Sequence, residues 1–116
     1  MHRVNLTNMT DSEFEECVDD TLLAIEDVLD NCHIDIEYEN TGGILTLEFA
    51  NQSKIIINRQ IAVHQLWIAA KSGGFHLEYD STSDTWKTNK QGEELFDLLG
   101  RLCSEQAGES ISFNEL

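Results

Sequence analysis

Glu15, Glu16, Asp19, Asp20, Glu26, Asp27 and Asp30 crowd one short stretch, and Asp35, Glu37 and Glu39 follow at every second position. No lysine or arginine lies between Arg3 and Lys54, and that span holds 13 of the chain's 22 acidic residues. Carboxylates are hard oxygen ligands, suited to divalent or ferric cations with water completing the shell. The spacing selects no particular metal. There is no EF-hand loop, no HExxH and no Glu-x-x-His pair, so the pattern predicts weak, exposed, multi-site cation binding rather than a closed site. The plain alternative is a solvated acidic face that serves solubility.

A second group of residues suggests protein contact. Gln65, Trp67 and Ala69 alternate with Leu66, Ile68 and Ala70, in a strand-like stretch from His64 to Ala70. Side chains two apart share a strand face. Trp67 therefore sits with polar neighbours, and Asn58 falls on the same open face by the alternation of Lys54, Ile56 and Asn58 against Ile55 and Ile57. An exposed tryptophan among amides is a typical protein-binding anchor; otherwise a loop or Arg59 covers it. Trp86 carries no such pattern and reads as core or as an edge plug. Nucleophilic catalysis has little support. There is no Gly-x-Ser-x-Gly, Cys17, Cys32 and Cys103 lack an evident base, and Gly42-Gly43 and Gly73-Gly74 are turn glycines rather than a phosphate loop.

The elements that must position these groups follow from periodicity. Thr10-Asp11-Ser12-Glu13 reads as a capping box. Phe14, Cys17, Val18, Leu22, Ile25, Val28, Leu29 and Cys32 then form one apolar stripe on a helix. Glu15, Asp19, Glu26 and Asp30 occupy one polar row of it, and Glu16, Asp20 and Asp27 the next. Like charges four apart repel by about 0.2–0.5 kcal/mol per pair. Glu26, Asp27 and Asp30 also sit at the negative end of the helix dipole, each at a cost of about 0.3–1 kcal/mol. Local rules broken without local compensation point to function.

The period then switches to two, in segments near 34–39, 44–49, 54–58, 64–70 and 75–79, with a further short one at Thr85-Trp86-Lys87. The helical period returns with Leu95, Leu98, Leu99, Leu102, Cys103 and Gln106, stopped at Gly108. The tail at Ile111 and Phe113 is placed across the base of the helices. The prediction is an α+β, two-layer sandwich. The N- and C-terminal helices pack on one face of an antiparallel sheet of about five to six strands, and the other face stays open. If the first strand is an edge beside the first helix, the two acidic sets merge into one ridge.

Length and composition agree with a single domain spanning 1–116. The net charge of −15 argues against a nucleic-acid backbone as partner and favours cations or basic proteins. No apolar run is long enough for a bilayer and no signal-peptide pattern opens the chain, so the expectation is a cytoplasmic protein without a membrane partner. Three cysteines without a CxxC favour neither a disulfide scaffold nor a structural zinc site, and they fall on apolar positions.

"INRQ" (Ile57–Gln60), "HQLWIA" (His64–Ala69) and "SGGFHL" (Ser72–Leu77), flanked by "GGILTLEF" and "AGESISF", resemble the frataxin family in its short bacterial form. The resemblance covers nearly the whole chain and implies the frataxin fold, two helices on one antiparallel sheet. It further implies an iron-binding regulator or adaptor of iron–sulfur cluster assembly rather than an enzyme, monomeric without iron. It would bind ferrous or ferric iron weakly, and other divalent cations, on an acidic ridge. Carried over by position, that ridge is Glu15, Glu16, Asp19, Asp20, Glu26, Asp27, Asp30, Asp35 and Glu37. The implied partners are the cysteine desulfurase and the iron–sulfur scaffold protein, met by the ridge and by Asn58, Gln60, Gln65 and Trp67. Ile61-Ala62 stand where many relatives carry an acidic residue or threonine and then proline. His33 occupies a shortened helix–strand loop and reads as a solvated surface histidine. The competing functions are oxidation of ferrous iron and iron storage.

Overall fold

A computed structural model describes residues 9–113. The first helix, α1, spans Asp11–Asp30, and its capping box closes at both ends. The Thr10 amide donates to Glu13 Oε1 at 2.9 Å, and the Glu13 amide to Thr10 Oγ1 at 3.0 Å. Six strands follow: β1 (Ile36–Thr41), β2 (Ile44–Phe49), β3 (Lys54–Gln60), β4 (Gln65–Ala70), β5 (Gly73–Asp80) and β6 (Thr85–Thr88). The second helix, α2, spans Leu95–Ala107. The strands form one antiparallel meander in the order β1-β2-β3-β4-β5-β6. Short links join neighbours because antiparallel strands need only tight turns. Both helices cover one face, as the α+β expectation has it.

The buried face is the one that alternation selects. Leu45, Leu47, Ile55, Ile57, Leu66, Ile68 and Leu77 are almost fully buried against Phe14, Val18, Leu22 and Ile25 of α1 and Leu95, Leu98, Leu99 and Leu102 of α2. Trp86 lies in this core, edge-on to Phe14 and Tyr79, with its indole N–H donated to Thr21 Oγ1 at 3.0 Å. The tail lies against α2. Gly100 permits this approach, since a Cβ there would stand 3.3 Å from the Ile111 carbonyl oxygen. Phe113 then packs edge-on to Phe96.

Three local features differ from the sequence reading. The strand stretch begins at Gln65, not His64. Ile61–Val63 form a 3-10 turn, and His64 closes it with a φ of 51°, which a strand cannot hold. That geometry turns the imidazole onto Phe14, at 4.9 Å between ring centroids, with Nε2 2.8 Å from Asp11 Oδ1. Cys17 and Cys32, placed on the apolar stripe, pack against the core as expected but are only half-buried, and α1 stops before Cys32.

Gln106, read as part of the apolar stripe of α2, is buried but works as a polar staple. Its Oε1 accepts from the Lys71 amide at 2.9 Å, and its Nε2 donates to Ser53 Oγ at 3.0 Å and to the Lys54 carbonyl at 3.2 Å. These bonds tie α2 to the β2–β3 and β4–β5 turns. Gln106→Leu leaves a part-buried donor and acceptors without their partner, so it lowers stability by about 1–2 kcal/mol. Urea unfolding reads this as a lower midpoint at unchanged slope.

Candidate functional site

Parity decides what each acidic residue faces. On β1, Ile36 and Tyr38 turn toward the helices, pairing with the buried Phe49 and Leu47. Glu37 and Glu39 therefore project from the opposite, open face, with Glu48 directly across from Glu37. β1 is an edge strand, as the ridge requires. The two acidic sets meet around that edge instead of forming one continuous surface. The β1 side chains that hydrogen-bond α1 are Tyr38 and Asn40. The Tyr38 hydroxyl donates to Asp30 Oδ1 at 2.7 Å, and Asn40 Nδ2 to Glu26 Oε2 at 3.0 Å. The bond to Asp30, partial desolvation and the charges of Asp30 and Glu26 hold the Tyr38 phenol above its usual range. Both bonds place neutral donors on acids that form no ion pair with a lysine or arginine among the described residues, and the last turn of α1 has no basic residue.

Farther up α1 a counter-charge is present. Arg59 shares the helix-facing parity of Ile55 and Ile57, so it cannot cover Trp67, which lies on the other face. Its guanidinium instead forms ion pairs with Glu15 and, at 2.8 Å, with Asp19 Oδ1. Burial works against the Arg59 charge, but the two carboxylates outweigh it and raise its pKa above the ordinary value. Gly43 makes room for this clamp. Its φ of +81° suits the two-residue hairpin turn, and a Cβ there would stand 3.1 Å from Arg59 Nη2. The ridge is thus divided. Glu15 and Asp19 are engaged, whereas Glu16, Asp20, Asp27, Asp30, Asp35 and Glu37 are exposed, and Glu26 is half-exposed beside Asn40.

Among the described residues, no three His, Cys, Asp or Glu side chains converge to hold one metal ion. The exposed carboxylates offer hard oxygen donors singly or in pairs, which fits a cation that keeps most of its water. His33 is exposed at the end of α1. Cys103 is fully buried, and that burial pushes its thiol up to about 12. A thiol so placed is protonated and unreactive near neutrality. With native protein at pH 8, alkylation spares Cys103, and the third thiol reacts only after denaturation.

The open sheet face carries the second set. Asn58 pairs directly with Trp67, and Gln60 with Gln65. Trp67 is 36% exposed, and Ile44 and Ile56 on the same face are each 38% exposed. Two neighbours hold the indole. His76, its partner on β5, stacks under it at 4.3 Å between centroids with planes 9° apart. The indole N–H donates to Gln65 Oε1 at 2.7 Å, and Gln65 Nε2 donates to Glu78 Oε2 at 3.1 Å. Trp67 is therefore a rigid, preorganised platform. Sequence reading missed His76 and Glu78, although their alternation with Phe75 and Leu77 already puts them on that face. Arg59 was legible by the same parity argument: a charge on a helix-facing position needs a partner there.

The match to known proteins is extensive. A family model described as the Frataxin-like domain matches residues 7–109. The chain belongs to the frataxin-like family. A relative from Photobacterium profundum is 47% identical over 106 residues, covering 91% of this chain and 99% of that one. Another, from Stutzerimonas stutzeri, is 42% identical over 109 residues, covering 94% and 99%. Both are named iron-sulfur cluster assembly protein CyaY. Among solved structures, the frataxin of Psychromonas ingrahamii superposes with a TM-score of 0.84 at 36% identity, covering 92% of this chain and all of that one. The two helices on a six-stranded antiparallel sheet are the fold of this family.

Proposed function

We propose that the chain is a cation-responsive adaptor in iron–sulfur cluster assembly, acting by binding rather than by catalysis. Family membership and the names of its relatives support the assembly role. The observation that carries the cation response is the undischarged end of the ridge. Glu26, Asp27 and Asp30 crowd the negative end of α1, exposed Asp35 and Glu37 lie before and around the β1 edge, and the arginine clamp reaches Glu15 and Asp19. Ferrous or ferric iron binds there weakly through one or two carboxylates and water. The same carboxylates dock on a basic patch of the cysteine desulfurase, and the Trp67 face meets the scaffold protein. A carboxylate that ligates a cation is lost to a basic partner, so cation loading tunes docking.

The test is an anaerobic NMR titration of labelled protein with ferrous ion. Broadening concentrates at Asp20, Glu26–Asp30, Asp35 and Glu37. Equal broadening at Asp80, Asp84, Glu105 and Glu109 contradicts the reading.

A further inference from the structure

The two edges of the sheet differ. β6 spends its outer side on its own chain. Lys87 bridges to Glu94, the Thr88 amide donates to the Glu93 carbonyl at 2.9 Å, and the Glu93 amide donates back to Thr88 Oγ1 at 2.9 Å. Among the described residues, β1 has no such cover and pairs with β2 alone, in unbroken register over six residues without proline. In a two-residue hairpin, the residues flanking the turn exchange both main-chain bonds, and every second residue repeats this. Thr41, Glu39 and Glu37 therefore spend their N–H and C=O groups on β2. Those of Ile36, Tyr38 and Asn40 point outward, a template for another strand.

The side chains around this edge have one sign. Glu37 and Glu39 line it on the open face. On the helix face, Tyr38 and Asn40 lead directly to Asp30 and Glu26. A second copy of β1 would set Glu37 and Glu39 against the same acids, which opposes self-pairing. An extended basic segment meets the opposite charge on both of its faces.

We propose that β1 is a strand-addition site for an extended lysine- or arginine-rich segment of a partner protein, which pairs as a seventh strand. The main chain then supplies affinity and direction, while alternate basic side chains reach Glu37 and Glu39 on one side and Glu26 and Asp30 on the other. Exposed ion pairs alone are weak and screened; the ladder converts a diffuse attraction into a register. The site forms without iron, and a cation held by Glu26, Asp30 or Glu37 competes with it.

The experiment titrates the labelled full chain with the synthetic heptapeptide Arg-Arg-Thr-Thr-Arg-Arg-Thr, whose arginines fall on both faces of a strand. The control is the same peptide N-methylated at alternate residues, which keeps the charge and removes ladder donors. The unmodified peptide slows amide exchange at Ile36, Tyr38 and Asn40, and it binds at least about tenfold more tightly than the control, the weight of one or two backbone hydrogen bonds. Asn40→Pro removes one outward N–H at a position where an edge strand tolerates proline, and it weakens binding by about tenfold. Equal binding of both peptides, or protection appearing at β6, overturns the proposal. The peptide comparison decides even if the proline variant fails to fold.

Discussion

Replacing Glu26, Asp27 and Asp30 together by Gln, Asn and Asn stabilises the fold by about 1–2 kcal/mol at low salt and removes most of its response to ferrous ion. All three charges sit at the wrong end of α1, and Glu26 and Asp30 are four residues apart. The amide replacements keep acceptors for Tyr38 and Asn40, so the bonds now at 2.7 and 3.0 Å survive. The gain shrinks in salt, because what is relieved is exposed repulsion. Thermal melts at two ionic strengths check this. A triple variant that melts lower than the parent would show that these carboxylates support the fold, and the functional reading of the ridge would lose its physical motive.

Trp67→Ala weakens binding to the desulfurase–scaffold complex by about 30-fold or more while leaving the fold intact. The side chain is a rigid aromatic held by His76 and Gln65 before any partner arrives, so little ordering cost remains at binding. Its loss costs the fold only about 1 kcal/mol, the weight of one aromatic stack. His76→Ala removes the ring beneath the indole and produces a smaller loss of affinity than Trp67→Ala. Calorimetric titration of each variant checks the order. Unchanged affinity in Trp67→Ala would remove the open face from the docking surface.

The fold was legible where one physical signal acted locally. The stripe from Phe14 to Leu29, the capping box at Thr10, and the alternation that buries Leu45, Leu47, Ile55, Ile57, Leu66 and Ile68 all follow from periods of 3.6 and 2. The acidic residues and the amides around Trp67 were likewise legible as residue types. What alternation withholds is which face of one element meets which element across space. Glu37 was therefore grouped on one surface with the α1 acids, although Tyr38 and Asn40 are the residues that face them. The Arg59 clamp joins residues 44 and 40 positions apart, and the Gln106 staple spans more than 50. Such contacts are set by strand order. His64 was taken into a strand because nothing in its neighbours announces the left-handed turn that carries it onto Phe14.

The most direct test of the central claim is the affinity of the chain for the cysteine desulfurase, measured with and without ferrous ion at low and at high salt. Carboxylates shared between cation and partner predict that affinity falls with salt and falls again when iron is added. They predict that the Glu26, Asp27 and Asp30 triple variant weakens both dependences. An affinity indifferent to iron and to salt would contradict the account, leaving a frataxin-like fold whose acidic ridge serves solubility alone.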